Sequence, residues 1–401
     1  MAAQRAMSVF GFRRAARALA IAALLCASSV RAQSLPDRLT DSTFWKLMNE
    51  FSEPWGVFRS ENFVSNETSF QWVIPELVRT VGPGGAYLGV APDQNFTYIV
   101  NVKPSIAFIV DIRHQNAVQH LLYKALIEMS DTRAEFLSML FARKPLKGVA
   151  PDAPVHLLFD ALANSPPDSS LYHHNLDAIK DWLIVHHGFA LSDSEKTSLD
   201  CVYGAFFTQG PALTYNYASE CRNPIAGFRG AGPGGGMGGR GFGNMPSFLG
   251  LMNETDGAGV NRGYLARENN YRALKEMEER NLIVPLTGNF AGDKTLKSVG
   301  QWVRERGAVV TTFYVSNVEQ YLFMQPGDAG RFYANVSTLP LDSSGTFVRS
   351  ASMRMFGMSD VSLRQQSGFS AQLLSSVSEI LKAFETGTIT RYTQVIALSH
   401  Q

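Results

Sequence analysis

The sequence predicts an α/β protein built on a doubly wound, mostly parallel sheet, with a helical, glycine-rich insertion and an antiparallel C-terminal edge. Three observations point there. Strand-length and helix-length segments alternate twice, over residues 86–129 and again over 262–316, the rhythm of βαβ units. The run "SIAFIVDI" (105–112) is continuously apolar, as in a strand covered on both faces. Between the two alternating regions, residues 163–260 lose the rhythm and hold "RGAGPGGGMGGRGFGN", a composition that reads as a solvent-exposed insertion loop.

Each element follows in order. "TDSTFWKLMNEF" (40–51) has helical apolar spacing, with Asp41 or Ser42 as a cap. "SEPWGVFRSENFVSNE" (52–67) is irregular and polar. "FQWVIPELVRTV" (70–81) is a helix ended by "GPGG". "AYLGV" is a strand, "DQNFTYIVNV" a short helix and "SIAFIVDI" a strand; Ala117, Leu121, Leu122, Ala125 and Met129 then mark one helix face. Later, "RGYLARENNYRALKEMEERN" is a charged amphipathic helix, "LIVPLTGN" a strand, "DKTLKSVGQWVRERG" a helix and "AVVTTFYVS" a strand. Right-handed crossovers would join these into a parallel sheet. Near the end, "RFYANVSTL", "TFVRSASM" and "YTQVIAL" read as strands of the antiparallel edge, and "FSAQLLSSVSEILKAF" as a helix between them. The expected organisation is a leader at 1–32, the two halves of a sheet domain at 33–162 and 261–401, and the insertion at 163–260.

Apolar residues make up 45% of the chain and charged residues 18%, enough apolar surface for a large core. The formal charge of +1 gives no global field to recruit nucleic acid or an anionic membrane. Arg5, Arg13, Arg14 and Arg17 precede "ALAIAALLCASSV" and then "VRA", the layout of an export signal cleaved after Ala32. The run is short for a bilayer span, so the mature chain is expected to be periplasmic, with no integral membrane segment. Leu25 before Cys26 argues against lipid attachment, and "FRRAAR" fits twin-arginine export poorly. Two cysteines remain, Cys201 and Cys221; in an oxidising compartment they read as a disulfide, worth about 3 kcal/mol in the chain-entropy picture, against the alternative of two buried thiols.

In an open parallel sheet, ligands sit beyond the carboxyl ends of the strands. Polar residues gather at four such ends: Gly89, Pro92, Asp93, Gln94 and Asn95; Asp111, Arg113 and Asn116; Thr287, Gly288 and Asn289; Ser316, Asn317, Glu319 and Gln320. Asp111 has two readings, a grip on vicinal hydroxyls or a helix cap salt-bridged to Arg113. Asp93, Gln94 and Asn95 are either site residues or first-turn helix residues favoured by the dipole. The first turn has only Gly89 where a dinucleotide fold has G-x-G-x-x-G, which disfavours NAD. The glycine-rich run lacks the Gly-Lys-Ser/Thr of a phosphate loop, and no G-x-S-x-G elbow appears. His173–His174 and His186–His187 are adjacent pairs whose side chains diverge by about 100° on a helix and chelate poorly, so no metal is expected. Tyr123 could reach a pocket, whereas Lys124 reads as a solvated face residue.

"SENFVSNE", "AYLGVAPDQNFTYIV", "AFIVDIRHQNAVQHLLYKALIEMS" and "RNLIVPLTGNFAGDKTLKSVGQWVRERGAVVTTFYVSNVEQYLF" resemble an uncharacterised bacterial family with an S-adenosylmethionine-dependent methyltransferase-like, Rossmann-like fold. The resemblance covers most of the chain outside the glycine-rich run. It implies S-adenosylmethionine as the cofactor, and pocket residues at Asn66, Glu67, Asp93 to Asn95, Asp111, Arg113, Asn289 and Asn317 to Gln320. The chain departs from it at Ala91, where a glycine is expected. S-adenosylmethionine is made in the cytoplasm and the leader points outward, so three readings follow: an exported protein binding another small polar or nucleoside-like ligand, an active methyltransferase, or a scaffold with a vestigial cleft.

Overall fold

The strands form where the apolar runs are unbroken. β1 (Ala86–Gly89) and β2 (Ile106–Asp111) are buried at every position, because helices cover both faces of the sheet. β3 (Ile283–Thr287), β4 (Val310–Ser316), β5 (Thr346–Ser352) and β6 (Ser370–Ser376) complete one six-stranded sheet in the order β3-β2-β1-β4-β5-β6. All neighbours pair in parallel except β5 and β6, which are antiparallel. The order reverses between β1 and β4, the switch point at which a Rossmann-like sheet opens its crevice.

These features are those of the computed structural model of the chain, which describes residues 34–56, 58, 60–215, 245–352 and 370–400. The expected leader, Cys221 and the glycine-rich run lie outside the described residues, so the expected Cys201–Cys221 pairing does too. Among the described residues no helix is long and apolar enough to cross a membrane.

The helices are α1 (Asp41–Phe51), α2 (Ile74–Val81), α3 (Gln94–Val102), α4 (His114–Met129), α5 (Arg133–Leu140), α6 (Val155–Ala163), α7 (Ser169–Asp181), α8 (Asp193–Gln209), α9 (Phe248–Met252), α10 (Glu268–Glu279) and α11 (Thr295–Glu305), then α12 (Val318–Leu322), α13 (Asp328–Val336), α14 (Val377–Glu385) and α15 (Tyr392–Ala397). α10 packs against α3 and α4, and α13 against α11, the grouping expected of right-handed crossovers. The cap of α1 is Thr40, whose hydroxyl accepts from Thr43 N at 3.2 Å, not Asp41 or Ser42.

Three C-terminal expectations are corrected. The "RFYANVSTL" stretch is mostly α13, because Ala329, Phe332, Tyr333 and Val336 recur at helical spacing and bury one face. "YTQVIAL" is α15, with Tyr392, Val395 and Ile396 buried. "FSAQLL" is the strand β6 rather than a helix, since β5 supplies its hydrogen-bond partners from Thr346 to Ser352; the helix α14 starts only after Ser376, whose hydroxyl accepts from Glu379 N. β5 itself is parallel to β4, so β6 alone makes the antiparallel edge.

The described residues of 52–67, read as an irregular stretch, run across the carboxyl ends of the strands. Glu53 N donates to Thr287 O (2.8 Å) after β3, and Gly56 N to Ile112 O (2.9 Å) after β2. A Cβ on Gly56 would stand 2.6 Å from the Ile112 side chain, so this approach requires glycine. Gln119 Nε2 then holds Phe63 O at 2.7 Å.

Lys124 is not solvated. It is buried and donates to Glu128 Oε1 at 2.6 Å. His187 Nε2 lies 2.6 Å from Glu128 Oε2, and its Nδ1 2.7 Å from Asp41 Oδ1. A ring facing two carboxylates donates from both nitrogens and is therefore charged. Burial works against that charge, but the bonds and charges of Glu128 and Asp41 outweigh it and hold the His187 pKa above the usual value. Nearby, burial pushes the Glu278 carboxyl up to about 8. Glu278 binds more protons in the folded than in the unfolded chain up to about pH 8, and His187 does so as pH rises through its ordinary range, so stability falls as pH rises through neutrality, by at most about 1.4 kcal/mol per pH unit for each group. Urea unfolding at pH 6, 7 and 8 should show the decline, and His187→Gln and Glu278→Gln should each flatten it; an unchanged slope in both variants would refute the assignment.

Candidate functional site

The turn "YLGVAPDQNF" is held from beneath by its own side chains. Asn95 Nδ2 reaches the carbonyls of Val90 (2.8 Å), Ala91 (3.1 Å) and Pro92 (2.7 Å), while its Oδ1 accepts from the Tyr87 hydroxyl at 2.9 Å. Gly89 makes room for that amide, since a Cβ there would sit 1.9 Å from Asn95 Oδ1. Gly89 and Asn95 are thus scaffolding under the sheet edge. Ala91, where the family resemblance expects glycine, has φ of 70°, the left-handed conformation that glycine adopts without strain. His120 Nε2 donates to the Ala91 carbonyl at 3.0 Å, and burial lowers its pKa to about 4, so the ring is neutral.

Directly above this turn, at the β1–β4 switch point, lies a cavity of about 150 Å³. Of the turn, only Val90, Ala91 and Pro92 line it. Asn66, Glu67, Asp111, Arg113, Asn289 and Asn317 all line it, together with Gly288 and Ser316. The sheet therefore brings together residues from four separate segments. Asp93, Gln94, Glu319 and Gln320 are not among the lining residues. The Asp93 carboxylate accepts from the Tyr264 hydroxyl at 2.9 Å, and burial raises it to about 6. Glu319 is wholly buried with Arg349, whose Nη2 lies 3.2 Å from its Oε1, and it accepts from the Tyr333 hydroxyl at 2.7 Å. Gln94 acts one step back, donating to Glu67 Oε2 at 2.9 Å. Tyr123 is buried and does not reach the cavity.

Sequence reasoning missed Ser65 and the aromatic walls, Phe58, Phe290, Tyr215, Tyr314 and Tyr321. Their signal was the density of aromatic residues in "WGVF", "LTYNY" and "NVEQYLF", which lie far apart in sequence and carry no spacing rule.

The two carboxylates of the cavity differ. Asp111 takes the salt-bridge reading: Arg113 donates from Nε to Oδ1 (3.2 Å) and from Nη2 to Oδ2 (3.1 Å), and Arg113 N also donates to Oδ1 (2.8 Å). Arg113 further donates to the Glu61 carbonyl. Glu67 is only 4% exposed. Its Oε2 accepts from Gln94, Tyr314 (2.9 Å) and Gln372 (3.2 Å), and its Oε1 from Ser316. Burial raises its pKa, and these four donors work against that rise. Asn62 and Ser316 carry further left-handed backbone beside the cavity, with φ of 49° and 51°.

Few chemical steps are open to this arrangement. His114 lies between Thr287 Oγ1 (2.8 Å) and Glu195 Oε1 (3.0 Å), in the order of a hydroxyl–imidazole–carboxylate relay. Thr287 is 2% exposed, so its hydroxyl offers no nucleophile to a substrate. Among the described residues no group of three His, Cys, Asp or Glu side chains could hold a metal. As arranged, the residues do not fit S-adenosylmethionine. Both Asp111 oxygens are engaged, residues 52–67 cover the strand ends, and the cavity of about 150 Å³ is half the roughly 300 Å³ at which drug-sized sites begin. The turn itself makes a paired prediction for chemical denaturation. Gly89→Ala should cost about 2–4 kcal/mol by driving a methyl into Asn95. Ala91→Gly should be neutral or stabilising by up to about 1 kcal/mol, relief of the left-handed strain offsetting the greater freedom of the unfolded chain. A large loss in Ala91→Gly would contradict the conformation described.

None of the curated proteins matches the chain. A family profile does match, over residues 62–149 and 244–398, which is more than half of the chain. The unmatched residues 150–243 contain α6, α7 and α8, and the two matched stretches contain all six strands. The chain belongs to the family described as a domain of unknown function, DUF7790.

Proposed function

We propose that the protein binds a small polar ligand in the cavity at the carboxyl edge of its sheet, and that it holds this ligand rather than transforming it. One observation carries the reading. Asn66, Glu67, Asp111, Arg113, Asn289 and Asn317, drawn from four segments, converge on one cavity at the topological switch point, the default position for ligands in open α/β sheets. Three non-glycine residues in left-handed backbone, Asn62, Ala91 and Ser316, line the same space, and such strain gathers at functional sites. Binding is preferred to catalysis because none of the described residues lining the cavity is a histidine, cysteine or lysine, and the Ser316 hydroxyl is already committed to Glu67. The arginine-rich leader at 1–32 supports an exported protein, which would meet its ligand among periplasmic solutes.

The methyltransferase reading requires residues 52–67 to leave the strand ends and Arg113 to release Asp111. The scaffold reading requires the cavity to bind nothing. Thermal unfolding of the purified protein separates the three, using millimolar sugars, amino acids, small amines and S-adenosylhomocysteine. A ligand at 100 times its dissociation constant stabilises by about 2.7 kcal/mol, a shift of several degrees. A small solute should raise the midpoint, and Asn66→Leu, which fills the cavity, should abolish the shift. A shift with S-adenosylhomocysteine alone would establish the methyltransferase reading instead, and no shift with any probe would leave the scaffold.

A further inference from the structure

The chemistry of the cavity wall narrows the ligand class. Of its two carboxylates, Asp111 is neutralised by Arg113. Among the described residues Glu67 forms no ion pair with a lysine, arginine or histidine, and its four partners are two amides and two hydroxyls. Asp93 and Glu278 are also buried, but neither lines this cavity. Glu67 does, beside Tyr314 and Ser316, which line it as well.

Four donors aimed at one carboxyl group favour its ionised form, whereas an unpaired buried charge costs several kcal/mol. A cation placed in the cavity resolves that conflict. Counting Glu67, Asp111 and Arg113, the charged side chains of the wall sum to one negative charge when all are ionised.

The rest of the wall suits an organic cation better than a metal ion. The Phe58 and Tyr321 rings meet at 83° with centroids 5.5 Å apart, and Tyr215 and Phe290 add further aromatic surface. Aromatic walls around a desolvated site attract ammonium groups through the ring quadrupole. The volume of about 150 Å³ equals about five water molecules at their liquid volume, the scale of a methylated ammonium head group.

Resting on the binding reading above, we propose that the cavity recognises a small organic cation, an ammonium or quaternary ammonium group, with Glu67 as its counter-ion and Phe58, Tyr215 and Tyr321 as its aromatic walls. The test compares choline with 3,3-dimethylbutan-1-ol, the same shape with carbon in place of the charged nitrogen, by calorimetric titration of the purified protein. Tetramethylammonium and a neutral sugar serve as further probes. Choline or tetramethylammonium should bind at least about 30-fold more tightly than the neutral isostere. Glu67→Gln should remove most of that preference while leaving the unfolding midpoint measurable. Should that variant fail to fold, Tyr215→Leu must reduce the cation's affinity about 10-fold or more and leave the neutral isostere unchanged. Equal binding of choline and its isostere, or binding of the sugar without either cation, would overturn the cation assignment and keep the binding site. Binding of none of the four would overturn both.

Discussion

The carboxylate of Glu67 ties three otherwise separate parts of the chain to one point. Through Gln94 it reaches the first turn of α3, through Tyr314 and Ser316 the end of β4, and through Gln372 the antiparallel strand β6. Residues 52–67, which deliver it, are pinned across the ends of β3 and β2 by Glu53 and Gly56. A carboxylate in that position is costly to bury, and only the surrounding donors make it tolerable. The edge of the sheet is therefore organised around an acid that comes from outside the sheet.

That arrangement changes what an open α/β sheet offers. The crevice at a switch point ordinarily faces solvent and admits a nucleotide along the strand ends. Here the chain's own 52–67 segment occupies much of that edge, and Glu53 accepts from the amides of Asn289 and Thr295 at 3.1 and 3.0 Å, the kind of helix-terminal position an anion would take. What remains is a small, half-open space walled by aromatic rings and by the carboxyl groups of Glu67 and Asp111. The topology is that of a Rossmann-like sheet; the chemistry at its edge is set by the residues that fill it, consistent with function residing in the site rather than in the fold.

The candidate site was partly legible because strand ends are predictable wherever strands are. Asp111, Asn289 and Asn317 follow apolar runs too plain to misread, and all three reach the same cavity. Asn95 and Gly89 looked equally like site residues, yet they serve each other: the Asn95 amide fills the space a Cβ at Gly89 would need, a relation that no spacing rule expresses. Glu319 stood beside Asn317 in sequence but turns inward to Arg349, 30 residues away. The walls formed by Phe58 and Tyr215 come from stretches that carry no periodic pattern at all.

By itself the sequence determined the alternation of β1 to β4 with α3, α4 and α11, because an unbroken apolar run or a 3.6-residue stripe buries itself in one way only. It also limited the global charge, and with it the classes of partner. Only the tertiary structure decided the C-terminal elements, where segments of six to nine residues are too short for local pattern to choose between helix and strand. It also decided which acids are paired. Asp111 and Glu67 are the same functional group in equally polar surroundings of sequence. One meets a guanidinium two residues away and the other meets only neutral donors, because ion pairing depends on distances that the chain sets after it folds.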